Sequence, residues 1–279
     1  MLAGSVYPKF LYIVWSADLN PPHLNHLLMQ KIIAFIRNHP NWFLALLYFG
    51  IIWPLYVIIN QLELHDHFTK HILKTKWDEM IPFEPIWVFA YASMYVIVIL
   101  PFVYVKDHLL YRRMFFSFSL TGLIAYVVFL VFPTYDILRP VSNPFDFSRF
   151  LLAFDNKHDS PYNCFPSLHV GFSMTAGLWA YYADRSKLGA AILIWAILVS
   201  ISVLFVKEHY IADLLFGATL AITLFLVFSR NLRPRIPADP TKRLSNRLWL
   251  LVPVALYVIE VGYVLIKYWD RFKALFSLS

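Results

Sequence analysis

The sequence predicts an all-α integral membrane protein, a helical bundle of six to seven transmembrane spans. Three observations carry this. Of the 279 residues, 59% are hydrophobic and the mean hydropathy is +0.59, whereas soluble domains hold roughly 45–50% apolar residues. Charge is sparse at 15% and clusters between apolar runs, as expected where hydrocarbon excludes ionised groups. The runs themselves approach the roughly 20 helical residues that cross a hydrocarbon layer about 30 Å thick.

In chain order, the candidate spans are Trp42 to Ile59, Phe83 to Val105, Met114 to Phe132, Leu168 to Ala183, Leu188 to Val206, Tyr210 to Phe228 and Leu248 to Lys267. Ahead of them Leu24, Leu28, Ile32 and Phe35 recur at helical spacing, with Asn25, Gln30, Lys31 and Arg37 on other faces. That pattern fits an interfacial amphipathic helix or a helix docked on the bundle. The expected division is an amphipathic segment over 1–41, two spans over 42–113, a core over 114–228, a basic loop over 229–247, and a last span and tail over 248–279.

With the N-terminus cytoplasmic, segments 1–41, 106–113, 184–187 and 229–247 hold more than half of the 24 Lys and Arg residues. The positive-inside rule favours this orientation. Segments 133–167 and 207–209 then share the extracytoplasmic side. The net charge of +7 belongs largely to loops beside the membrane, so the expected partner is membrane and not nucleic acid. The N-terminus lacks a short apolar core with a small-residue cleavage site, so no removable signal peptide is expected. A single cysteine excludes an internal disulfide, and there is no Cys-x-x-Cys pair.

Three polar elements sit at span ends on that shared side. In "VKEHYIAD", His209 and Asp213 are four residues apart, so a carboxylate can orient the imidazole and stabilise its charged form. Such a histidine can serve as nucleophile or base; the same pair can equally anchor a helix end. In "CFPSLHV", Pro166 and Ser167 suit a helix start and His169 falls in the first turn. Backbone amides there favour negative ligands, although a capped helix alone accounts for the pattern. In "FPTYDILRP", Arg139 offers a donor fork matched to phosphate oxygens. Together they supply an anion clamp, a hydroxyl and amide cradle, an acid and an oriented nucleophile, the parts of metal-free phosphoryl transfer.

Arg139-Pro140, then Pro166-Ser167-Leu168-His169, then His209 with Asp213, in that order, resemble the motifs of the type 2 phosphatidic acid phosphatase (PAP2) superfamily. The similarity covers residues 114–228, which makes a PAP2-like core of that region. "FPSLH" and "EHYIAD" look closest to the branch that includes inositol phosphorylceramide synthases and many bacterial relatives. The resemblance implies that His209 attacks phosphorus to form a phosphohistidine, Asp213 orients it, and His169 protonates the leaving oxygen. Arg139 and Ser167 would hold the phosphate, with no cofactor and no metal. The implied substrate is a phospholipid or lipid phosphate.

Two positions depart from the family pattern. Its first motif begins with Lys where this chain has Phe132, and its third has Ser-Arg where this chain has Ser202-Val203. Charge compensation is a large catalytic term, so other cations are expected, with Lys207 first and Arg149 and Lys157 after it. The looser motifs favour transfer of a phosphoryl head group between lipids over hydrolysis of phosphatidic acid or an isoprenoid pyrophosphate. Two readings of other classes stand beside this one. Seven spans with intramembrane charge can form a transport route, and His65, His67 and His71 in "LELHDHFTKH" have a spacing that can bind zinc.

Overall fold

The computed structural model describes residues 29–31, 33–34, 40–61, 71–135, 163–184 and 187–232. The chain divides into two compact units, Met1–Phe43 and Leu44–Ser279. In the first, Met29, Gln30, Lys31, Ile33 and Ala34 are helical and exposed, while Leu24, Leu28, Ile32 and Phe35 lie outside the described residues. So do the seventh expected span and residues 233–247 of the basic loop.

Helices make up the regular structure among the described residues. In order they are α1 (Pro40–Leu47), a π turn at Tyr48–Ile52, α2 (Leu55–Gln61), α3 (Lys76–Met80), α4 (Val88–Ala92), α5 (Met94–Tyr104), α6 (His108–Val131), α7 (Leu168–Ala183), α8 (Lys187–Phe205) and α9 (Ile211–Ser229). Five continuous stretches are long and apolar enough to cross a membrane: Pro40–Asn60, Pro85–Val103, His108–Val131, Lys187–Phe205 and Ile211–Ser229. They coincide with the expected first, second, third, fifth and sixth spans. The fourth, α7, has 16 residues and sits among its neighbours, packed on α8, α9, α5 and α6.

Two expected spans contain breaks that an apolar run cannot record. The first passes through the π turn, which re-registers its backbone, and Tyr126 donates to the displaced Ile52 carbonyl at 3.3 Å. The second is interrupted at Ser93, whose hydroxyl donates to the Ala90 carbonyl at 2.6 Å and accepts the Trp195 indole at 2.8 Å. Side chains thus satisfy polar groups that lipid could not.

The core centres on Tyr48, fully buried and stacked on Phe102 at 5.0 Å, with Phe118 and Phe172 edge-on. Leu215, Phe216, Ile194 and Val131 point outward, as lipid-facing residues do.

Small residues let α7 approach its neighbours through backbone. A Cβ on Gly177 would lie 2.6 Å from that of Ala196 on α8, and a Cβ on Gly217 of α9 would lie 2.6 Å from the Ser167 carbonyl. Close crossings of this kind replace the hydrophobic driving force that helices lack in lipid. The second places the starts of α7 and α9 side by side.

Candidate active site

Both histidine motifs fall at those two helix starts. Ser167 is the N-cap of α7, its hydroxyl accepting the Val170 amide at 3.4 Å, a role its residue type favours. Its own amide donates to the Asp213 carbonyl at 3.2 Å, so the cap of one helix is tied to the first turn of the other. His169, one turn-step inside α7, stacks on Tyr91 of α4, with ring centroids 4.2 Å apart and planes 20° apart.

His209 lies in the turn between α8 and α9 and not on the helix that the spacing predicts. Tyr210 is the N-cap of α9. The four-residue relation survives because a cap residue stays close to the first helical turn. Nδ1 of His209 lies 3.3 Å from Oδ2 of Asp213, and the same oxygen accepts the Tyr210 amide at 2.9 Å. Asp213 is wholly buried. A carboxylate so placed selects the Nδ1-protonated imidazole and leaves the Nε2 lone pair for chemistry.

The two imidazoles come together: their centroids are 5.8 Å apart with planes at 58°.

Lys207, the expected replacement cation, is buried and holds a left-handed backbone, φ 61°. Such a conformation costs a residue bearing a Cβ about 1–2 kcal/mol and persists only when its surroundings hold it. Here the Lys207 ammonium donates to the Asp78 carbonyl at 2.7 Å. Arg139, Arg149 and Lys157 lie outside the described residues.

The two positions where the family carries cations are apolar in space as well as in sequence. Val203 packs with Val88, Tyr91, Val170 and Val206 beneath the histidines. Phe132 lies face to face with His71, centroids 4.1 Å apart. His65 and His67, the other members of the candidate zinc cluster, lie outside the described residues.

Sequence reasoning missed Asp78 and Tyr91. Thr75-x-x-Asp78 has the form of a capping box, a signal for a helix start but not for a contact with residues more than a hundred positions away. Tyr91 carries no signal, being one aromatic among many in an apolar run.

With this geometry in place, residues 64–227, more than half of the chain, match the PAP2 superfamily. The chain belongs to that superfamily, which makes it a phosphatase-type membrane enzyme. The matched region begins before the second span, so it takes in the segment that supplies Asp78 and Tyr91. No curated protein and no solved structure matches the chain.

Proposed function

We propose that the protein is a metal-independent lipid phosphatase/phosphotransferase that works through a phosphohistidine on His209, with head-group transfer between lipids favoured over hydrolysis. The observation that carries this is the pair of histidines 5.8 Å apart, one of them backed by a buried carboxylate. Nε2 of His209 attacks phosphorus, the bond to the leaving oxygen breaks, and His169 gives that oxygen its proton. In the second step His169 takes the proton of an acceptor hydroxyl, whose oxygen attacks phosphorus and breaks the N–P bond. Splitting the transfer lowers each barrier, and the acid contributes about 10²–10⁴-fold.

The Ser167 hydroxyl and the amides of the α7 start, with Arg139 and Lys207, would hold the phosphoryl oxygens. Apolar side chains at Phe132 and Val203 support transfer, because the site concentrates less cationic charge than the family pattern and offers more grease to a second lipid. The extracytoplasmic placement rests on the cations: Lys106, Arg112 and Arg113 near the start of α6, Lys187 at the start of α8 and Arg230 at the end of α9 all lie at the helix ends opposite the histidines.

The test uses purified protein in mixed micelles without divalent metal. Phosphatidic acid, farnesyl diphosphate and phosphatidylinositol serve as donors and a labelled ceramide as hydroxyl acceptor, with wild type compared against His209→Ala. Transfer lost in the variant, without phosphate release, supports the synthase reading. Phosphate release lost in the variant means hydrolysis. No turnover by wild type on any donor sinks the catalytic reading.

A further inference from the structure

Asp78 lies outside every motif, on the five-residue helix α3 between the first two spans, yet it is buried and accepts four hydrogen bonds. Its Oδ2 accepts the Thr75 amide at 2.7 Å and the Thr75 hydroxyl at 2.6 Å. Its Oδ1 accepts the Ile211 amide at 2.7 Å, and its backbone carbonyl accepts the Lys207 ammonium at 2.7 Å. The first two bonds cap α3. The other two reach across the fold to the residues on either side of His209 and Tyr210.

We propose that Asp78 is a positioning residue for His209, acting through the 206–211 turn; the inference rests on the phosphoryl-transfer reading above. Ile211 is the first residue of α9, and its amide is one of the donors that a helix start leaves without an internal partner. Asp78 takes that amide while Asp213 takes the preceding one, from Tyr210. Two successive amides are therefore fixed by two carboxylates, one arriving from another part of the chain. On the other side of His209, the Lys207 side chain is tied through its ammonium to the Asp78 backbone carbonyl. A second tie from this segment, the Glu84 amide to the Phe205 carbonyl at 3.0 Å, secures the end of α8.

The residues flanking His209 are thus tied on both sides, so the turn that carries it is held in place. The Asp213 contact, at 3.3 Å, orients the ring, and the tied turn keeps the ring within its reach. A cap for α3 needs only the Oδ2 bonds; the Oδ1 bond to the Ile211 amide serves the turn, while the carbonyl bond to Lys207 belongs to the backbone and persists with any residue at position 78.

The experiment measures kcat, KM and the thermal midpoint of the full chain in micelles, using the best donor of the panel above, for wild type, Asp78→Ala, Asp78→Asn, Thr75→Val and His209→Ala. Displacing a reacting group by about 1 Å costs on the order of 10²-fold. Asp78→Ala is therefore expected to lower kcat about 10–100-fold with KM within about two-fold of wild type. Asp78→Asn keeps an oxygen for the Ile211 amide and recovers much of that loss. Thr75→Val, which loosens Asp78 without touching the turn, lowers kcat a few-fold. Should Asp78→Ala fail to fold, unchanged kcat in both Asp78→Asn and Thr75→Val overturns the proposal. A lower midpoint for Asp78→Ala with wild-type kcat per folded molecule overturns it too, by reducing Asp78 to a helix cap. Wild-type turnover by His209→Ala brings down the reading of the site itself, whereas fully active Asp78 variants beside an inactive His209→Ala remove the positioning role alone.

Discussion

The two imidazoles of the site are neighbours held by opposite kinds of chemistry. His209 sits in a turn and is fixed by polar contacts: the Asp213 carboxylate, a capped helix start and the strap from Asp78. His169 sits inside a regular helix and rests flat on the ring of Tyr91. The proposed nucleophile, His209, needs a defined tautomer and direction, which a carboxylate supplies. The proposed acid, His169, is instead placed by the face of an aromatic ring, which fixes the plane of the imidazole.

Breaking the polar side has the largest expected effect. Asp213→Asn keeps the shape and still allows a hydrogen bond, but it removes the charge that selects the tautomer, so kcat falls about 10²–10⁴-fold. Steady-state turnover and phosphohistidine trapping check this, and near-normal phosphoenzyme formation in the variant would contradict the assignment. The acid side is tested by leaving-group chemistry. His169→Gln lowers turnover of an alkyl phosphate about 10²–10³-fold, and the deficit shrinks with an aryl phosphate whose leaving oxygen needs no proton. A deficit independent of the leaving group points to phosphate binding instead.

The smallest expected effect sharpens the contrast. Tyr91→Leu removes the stacked ring and lowers kcat about 3–10-fold, the equivalent of an aromatic contact of about 0.5–1.5 kcal/mol, while Tyr91→Phe stays within about two-fold because the face remains. Equal losses in the two variants would mean that the Tyr91 hydroxyl, and not its ring, serves His169.

What the sequence reveals follows the same division. His169, His209, Asp213 and Ser167 are legible because each belongs to a short spacing that carries chemistry, and five spans are legible because apolar length is a local property. The break at Ser93 and the π turn at Tyr48 are invisible in hydropathy, since changing the helical register leaves composition untouched. Asp78 and Tyr91 act on residues that only the folded chain brings near. Lys207 is legible as a cation, but its backbone strain and its bond to the Asp78 carbonyl depend on a turn whose conformation the residue type disfavours. The Gly217 crossing, which sets the distance between the two helix starts, reads in sequence as one more small residue in an apolar run.

The shortness of α7 has a consequence for traffic through the site. Its 16 residues extend about 24 Å, some 6 Å less than a hydrocarbon layer of about 30 Å, so unless the bilayer thins around it one of its ends lies beneath the surrounding headgroups. If that end is the start, which carries Ser167 and His169, the proposed substrate must descend to meet the histidines, shedding part of its hydration on the way. An acceptor already dissolved in lipid would make that descent more cheaply than water, so under the proposed transfer reading the depth of one helix would act as a filter on which hydroxyl arrives second.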